Sequence, residues 1–130
     1  MSSDMWSLGC ILVELHVGEL LFPTHKDSEH LAMMRKLLGR FPSWMGKNCS
    51  RTYRKYFDRD YRLDYPHAFS ESTIRNVDRL PYLEVRFKQK LIRKRHDDFL
   101  NFLYDLLEFD PARRLKPREA LRHQFFYTHY

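Results

Sequence analysis

DMWSLGCILVEL, running from Asp4 to Leu15, decides how this chain is read. Wound at about 100° per residue, it leaves no polar face, because Met5, Trp6, Leu8, Cys10, Ile11, Leu12, Val13 and Leu15 surround the axis. A helix that is apolar nearly all round needs protein on every side. A membrane span would take about 20 such residues, and Glu14 and His16 close this run well short of that. Ser2, Ser3 and Asp4 offer oxygens to the first free N–H groups and negative charge to the positive end of the helix dipole. Gly18 suits the left-handed position just past the end. The stretch predicts the central helix of an α-helical domain, over residues 4–16.

Length and composition set the frame around it. At 130 residues the chain has the size of one domain, and its 10 Phe, 8 Tyr and 2 Trp supply ample core material. A formal charge of +6 favours acidic partners in general, such as phosphorylated peptide or nucleic acid, without selecting one. Two cysteines, Cys10 in an apolar helix and Cys49 in a polar stretch, form neither a disulfide framework nor a zinc spacing. Two reduced thiols and an N-terminus without a secretory pattern lead us to expect an intracellular protein with no membrane partner.

After Gly18, Pro23 breaks the connection GELLFPTHKDS, and Asp27 or Ser28 is placed to cap a second helix near 28–38. Its Leu31, Met34, Leu37 and Leu38 share a face, and a Met at such spacing reads as core. Gly39 and Pro42 end it. Residues 43–83 are the least regular part. Tyr61, Leu63 and Tyr65 alternate with Arg62 and Asp64 as in a half-buried strand, so a small hairpin is expected within an otherwise irregular stretch. From Val85 the chain turns basic, with Arg86, Lys88, Lys90, Arg93, Lys94 and Arg95. No nucleic-acid motif accompanies the run, which reads as a solvated face. Asp97 or Asp98 is placed to cap a third main helix near 97–108, whose stripe is Phe99, Phe102, Leu103, Leu106 and Leu107. Pro111 stops it, and a last helix near 117–123 begins at Pro117.

Three motifs carry a family resemblance. Asp4-x-Trp6-Ser7-x-Gly9 followed by Cys10-Ile11-Leu12-x-Glu14-Leu15 resembles the central helix of the large lobe of eukaryotic protein kinases. EHLAMMRKLLG, Glu29 to Gly39, resembles the signature of the LAMMER (Cdc-like) dual-specificity kinases. Asp110-Pro-Ala-Arg-Arg-Leu115 and Glu119-Ala-Leu-Arg-His-Gln-Phe-Phe126 resemble the end of the kinase domain. They stand in family order and with their linkers cover almost the whole chain. Two positions depart from the pattern. Arg35-Lys36 stands where the signature has Glu-Arg, and Lys116 stands where a Thr or Ser usually caps the last helix, a cap worth about 1 kcal/mol.

The resemblance implies a mainly α fold, the C-terminal portion of the large kinase lobe with a small β-hairpin insert, as a partial kinase domain over residues 1–130. It implies that Asp4 holds the catalytic loop, that Trp6 and Gly9 allow close packing, and that Ile11 and Leu15 form the foot of the hydrophobic column under the adenine. Arg114 matches the arginine that pairs with the glutamate of Ala-Pro-Glu, and Glu14 sits where some kinases meet a substrate arginine. The bland alternatives are a helix-terminal carboxylate for Asp4 and a charge at a helix end for Glu14.

Phosphoryl transfer needs a glycine-rich phosphate loop, a phosphate-binding lysine and two aspartates. Glycines at 9, 18, 39 and 46 form no such loop, no Val-Ala-x-Lys occurs, Asp98-Phe99 runs on to Leu100, and Ala-Pro-Glu is absent. We therefore expect the end of a kinase domain without its beginning, whether a truncated product, a partial gene model or an alternative start. ATP and Mg2+ then belong to the complete enzyme, and no catalytic, cofactor or metal residue to this stretch alone. Implied partners are an upstream kinase segment and Arg/Ser-rich protein substrates, and the implied location is the nucleus, with the cytoplasm as alternative. The competing reading is a non-catalytic interaction module, with nucleic-acid binding a distant third. Without its glutamate, Arg114 is expected to be an orphan whose replacement by Leu is neutral or stabilising.

Overall fold

Helix α1 (Ser2–Val17) buries one stripe, Met5, Gly9, Val13 and Val17, spaced four residues apart. The computed structural model describes residues 1–90 and 96–127, the side chains of 88–90 and 96 excepted. Arg93, Lys94 and Arg95 of the basic run therefore lie outside the described residues, as do the side chains of Lys88 and Lys90. The helices fall into two units, Met1–Leu21 with the described residues from Leu83 onward, and Phe22–Tyr82.

In the first unit α1 packs against α7 (His96–Leu106) and α6 (Leu83–Lys90). Phe102, Leu103, Leu106 and Leu107 of the predicted stripe are buried, as are Leu83, Phe87 and Leu21. Each such side chain contributes about 1.5–3 kcal/mol by leaving water. α8 (Pro117–Ala120) and a 3-10 helix (Gln124–Phe126) replace the single last helix expected over 117–123. They bring Ala120 onto Met5, Phe102 and Leu106, and lay Phe125 at 5.5 Å on the Phe102 ring and 5.1 Å from Phe99. Lys116 gives α8 no side-chain cap, and the Glu119 carboxylate accepts from the Lys116 N–H at 3.0 Å, the reciprocal half of a capping box.

Several local expectations are corrected here. No side chain caps α1, which begins at Ser2, and the Ser2 hydroxyl turns instead to the Pro111 carbonyl at 3.4 Å. Leu8, Ile11 and Leu15 are exposed, by 40%, 50% and 77%, so within the described residues the apolar helix is covered on one side only. Arg86 does not belong to a solvated face. It is buried, donating from Nη1 to the carbonyls of Leu20 and Leu21, where the chain leaving α1 has no helical donors left to offer them.

In the second unit α2 (Asp27–Leu38) packs against α5 (Glu71–Arg79). Its buried face is Glu29, Ala32, Met33 and Leu37, whereas Leu31, Met34 and Leu38 are half-buried. The shift from the expected face follows from polar docking. Lys36 reaches across to the Val77 carbonyl at 2.7 Å, and Asn76 donates to Glu29 at 2.9 Å. Lys26, not Asp27 or Ser28, stands at the cap of α2, and Asp27 instead accepts from the Tyr53 hydroxyl at 2.9 Å.

Residues 43–83 are more ordered than their composition suggests. α3 (Ser43–Asn48) and α4 (Arg51–Arg54) are short helices of 6 and 4 residues, without an apolar period long enough to read. Ser70 caps α5, its hydroxyl accepting from the Thr73 N–H at 3.3 Å. The expected hairpin is present in minimal form, as one antiparallel bridge between Phe57 and Leu63. Asp58 N–H donates to Arg62 and Asp64 N–H to Tyr56, each at 2.8 Å. Asp58 also accepts from the N–H groups of Asp60 and Arg62, which closes the turn, and Leu63 is buried beneath it.

Candidate functional site

Of the predicted site residues, Trp6 and Arg114 meet, where the start of α1 faces the turn that follows α7. Arg114 is the centre of that knot. It is only 9% exposed. Nε donates to the Glu108 carbonyl at 2.9 Å and Nη2 to the Phe109 carbonyl at 3.2 Å. Nη1 donates to the Ser2 carbonyl at 2.9 Å and the Ser2 hydroxyl at 3.2 Å. The planar fork of an arginine suits such divergent acceptors, and a lysine would not reach them together. Trp6 covers the guanidinium from the side, 5.3 Å from its ring centroid, and stacks on Phe109 at 6.0 Å. Burial lowers the Arg114 pKa from its ordinary value, while the charges of Glu108 and Asp110 act the other way. Arg114 is thus no orphan, because three carbonyls and a hydroxyl accept its hydrogen bonds.

Gly9 lies where α1 passes closest to the end of α7. A Cβ built there would stand 2.9 Å from Leu107 Cδ2 and 3.1 Å from Leu106 Cβ. Glycine, without a Cβ, keeps that approach open. Asp4 is not drawn into the knot. Its carboxylate is 84% exposed and lies 3.7 Å from the N-terminal ammonium. Glu14 is half-buried, and its Oε1 accepts from the Leu21 N–H at 3.4 Å, so it fastens the chain leaving the helix. Burial, and then the Glu14 charge, push the neighbouring Cys10 thiol up to about 11, which leaves it unreactive at neutral pH. Ile11 and Leu15 stand on the exposed face, apart from Arg114, Trp6 and Gly9.

Two polar centres escape a reading of the sequence alone. Arg86 looks like one more cation of a basic run, and only the neighbouring carbonyls show its role. Glu29 is the first letter of the LAMMER-like signature, and it is buried. Burial raises its pKa, but hydrogen bonds from Thr24, Asn76 and Thr73 and the Lys26 charge outweigh that and hold it below the ordinary value. Its donors stand before it, at Thr24, and far after it, at Thr73 and Asn76, with no spacing rule that would reveal them.

The described residues hold no group of three or more His, Cys, Asp or Glu side chains able to bind a metal ion. No step of phosphoryl transfer is assigned to the described residues.

Comparison with known proteins places this arrangement. The protein kinase domain family matches residues 1–126. Serine/threonine-protein kinase AFC3 of Arabidopsis thaliana is 47% identical over 124 residues, covering 95% of this chain and 31% of the relative. Dual specificity protein kinase CLK1 of Homo sapiens is 40% identical over 123 residues, covering 95% of this chain and 24% of the relative. The crystal structure of the PF14_0431 kinase domain superposes with a TM-score of 0.81 at 38% identity, covering 95% of this chain and 35% of that one. The chain thus spans about a third or less of the proteins it matches. With the motifs, the helical lobe and these relatives in agreement, the chain belongs to the protein kinase domain family, in its LAMMER-type branch.

Proposed function

We propose that residues 1–130 are the C-terminal helical part of a LAMMER-type kinase domain, and that the complete enzyme transfers the γ-phosphate of ATP to Ser, Thr and Tyr side chains. The Arg114 knot carries this reading. It ties the start of α1 to the turn after α7 through a side chain whose family partner, by resemblance, is the glutamate of Ala-Pro-Glu. A cleft of ≈650 Å³ opens beside Arg114, with Met1, Met5, Pro111 and Leu115 among its walls, and offers that segment an apolar seat. Asp4 and Glu14 take their family roles, toward the catalytic loop and a substrate arginine, only in the complete enzyme. Arg/Ser-rich proteins as substrates and a nuclear location belong to the same proposal.

A transfer assay tests it. The 130-residue chain with radiolabelled ATP is expected to leave an Arg/Ser-rich peptide unlabelled. Joining it to the part of AFC3 that precedes the matching region is expected to restore labelling. Labelling by the chain alone, or none by the folded chimera, would overturn the proposal. Failure of the chimera would favour the non-catalytic module.

A further inference from the structure

Three arginines of the second unit line one cleft, and among the described residues none of them is held in an ion pair. Arg35 stands in the last turn of α2, Arg40 just past Gly39, and Arg62 on the returning arm of the hairpin. All three line a cleft of ≈300 Å³. Among the described residues none of the three has a carboxylate within 4.0 Å, and none donates a side-chain hydrogen bond. The negative end of α2 favours Arg35, but it accounts for neither Arg40 nor Arg62. Asp58 and Asp64 also line the cleft, and Asp58 already accepts from two N–H groups of its own turn.

Three arginines round so small a volume supply positive charge that an anion can join. Their forks match the oxygens of a phosphate, two at a time, better than any single-point cation would. The two carboxylates make the lining mixed, which disfavours a purely anionic ligand and favours a positive charge beside the phosphate. Phe41 and Ser43 complete the wall with an apolar surface and a hydroxyl. Arg35 is also the position where this chain departs from the LAMMER signature, which has Glu there. A glutamate would leave two cations facing three carboxylates, so the clamp is a property of this chain rather than of the signature.

We infer that this cleft binds the phosphate of a phosphorylated serine or threonine in a peptide with a basic residue next to it. The inference rests on the cleft alone and stands apart from any catalytic role.

Fluorescence anisotropy with a labelled nonapeptide carrying one phosphoserine beside an arginine tests it on the 130-residue chain. The phosphorylated peptide is expected to bind at least about tenfold more tightly than its unphosphorylated form. Arg40→Ala and Arg62→Ala replace exposed side chains and are expected to weaken it about tenfold each. Arg35→Glu is expected to abolish the preference. Arg59→Ala, which removes an exposed arginine of the same turn outside the cleft, is expected to leave binding unchanged. Circular dichroism of each variant checks the helices, and if Arg35→Glu unfolds, the two alanine variants decide. Equal binding of the two peptides would overturn the inference, as would an Arg59→Ala loss matching that of Arg40→Ala. Displacement by inorganic phosphate at the peptide's own concentration would reduce the cleft to an ion site. Single-stranded RNA binding as tightly as the phosphopeptide would make it a nucleic-acid surface. Either result would also overturn it.

Discussion

A single side chain shows how burial and partners set the effect of a mutation. Arg114 spends its charge on three backbone carbonyls and one hydroxyl, so Arg114→Leu strands those carbonyls without a donor. An unsatisfied buried acceptor costs about 1–3 kcal/mol, and with local relaxation we expect a total loss of about 3 kcal/mol. Urea unfolding of Arg114→Leu is expected to show a lowered midpoint with an unchanged slope, and Arg114→Lys is expected to recover less than half of the loss. Glu29 gives a prediction in pH. Its pKa in the folded chain lies below the ordinary value of 4.5, so the unfolded chain binds the proton more tightly. The resulting stability is fully present above that ordinary value and is lost as pH falls through the folded one. Melting temperatures at pH 7 and pH 3 are expected to differ less in Glu29→Gln than in the wild type. An equal difference would show that acid acts elsewhere.

At the scale of elements, the hairpin is held from below. A Cβ on Gly46 would stand 2.4 Å from the Tyr61 carbonyl oxygen and 2.8 Å from Phe57 Cδ1. The first of these is backbone, at a residue whose φ of 61° already leaves it little freedom. Gly46→Ala must push α3 and the turn apart, an overpacking cost of about 2 kcal/mol. It is expected to change the near-UV signal of Trp44 and to lower the melting temperature, whereas Gly39→Ala meets no neighbour and acts only through its φ of 94°. Helix α1 teaches the reverse lesson. Its apolar composition was legible at once, but which of its sides finds a partner was not.

For the molecule as a whole, the open side of α1 sets behaviour in solution. Leu8, Ile11 and Leu15 form an exposed stripe on a helix whose other side is fully packed. Large exposed apolar surfaces bind dyes and one another. The 130-residue chain is expected to bind a hydrophobic dye and to self-associate with rising concentration. The double variant Ile11→Ser, Leu15→Ser is expected to reduce both while changing stability by no more than about 0.5 kcal/mol per site. If the double variant instead unfolds the chain, the stripe is packed in solution.

What the sequence determined by itself was periodicity and punctuation. Runs such as Phe99, Phe102, Leu103, Leu106 and Leu107 specify a helix and its buried face, because apolar side chains three and four apart leave water together. Gly18 ends α1, because its left-handed φ of 82° is a property of a single residue, whereas α7 stops at Leu106, before Pro111 is reached. The three motifs then placed the chain in its family. Tertiary structure alone decided where the polar groups went. Arg114, Arg86 and Glu29 look like surface charges until carbonyls and hydroxyls distant in sequence are folded around them. Arg35, Arg40 and Arg62 come from three segments with no common period, and only the turn after Gly39 and the hairpin bring them to one cleft. Hydrogen bonds and charges act at a few ångströms between residues as far apart in the chain as Ser2 and Arg114, so no short window of sequence contains both partners.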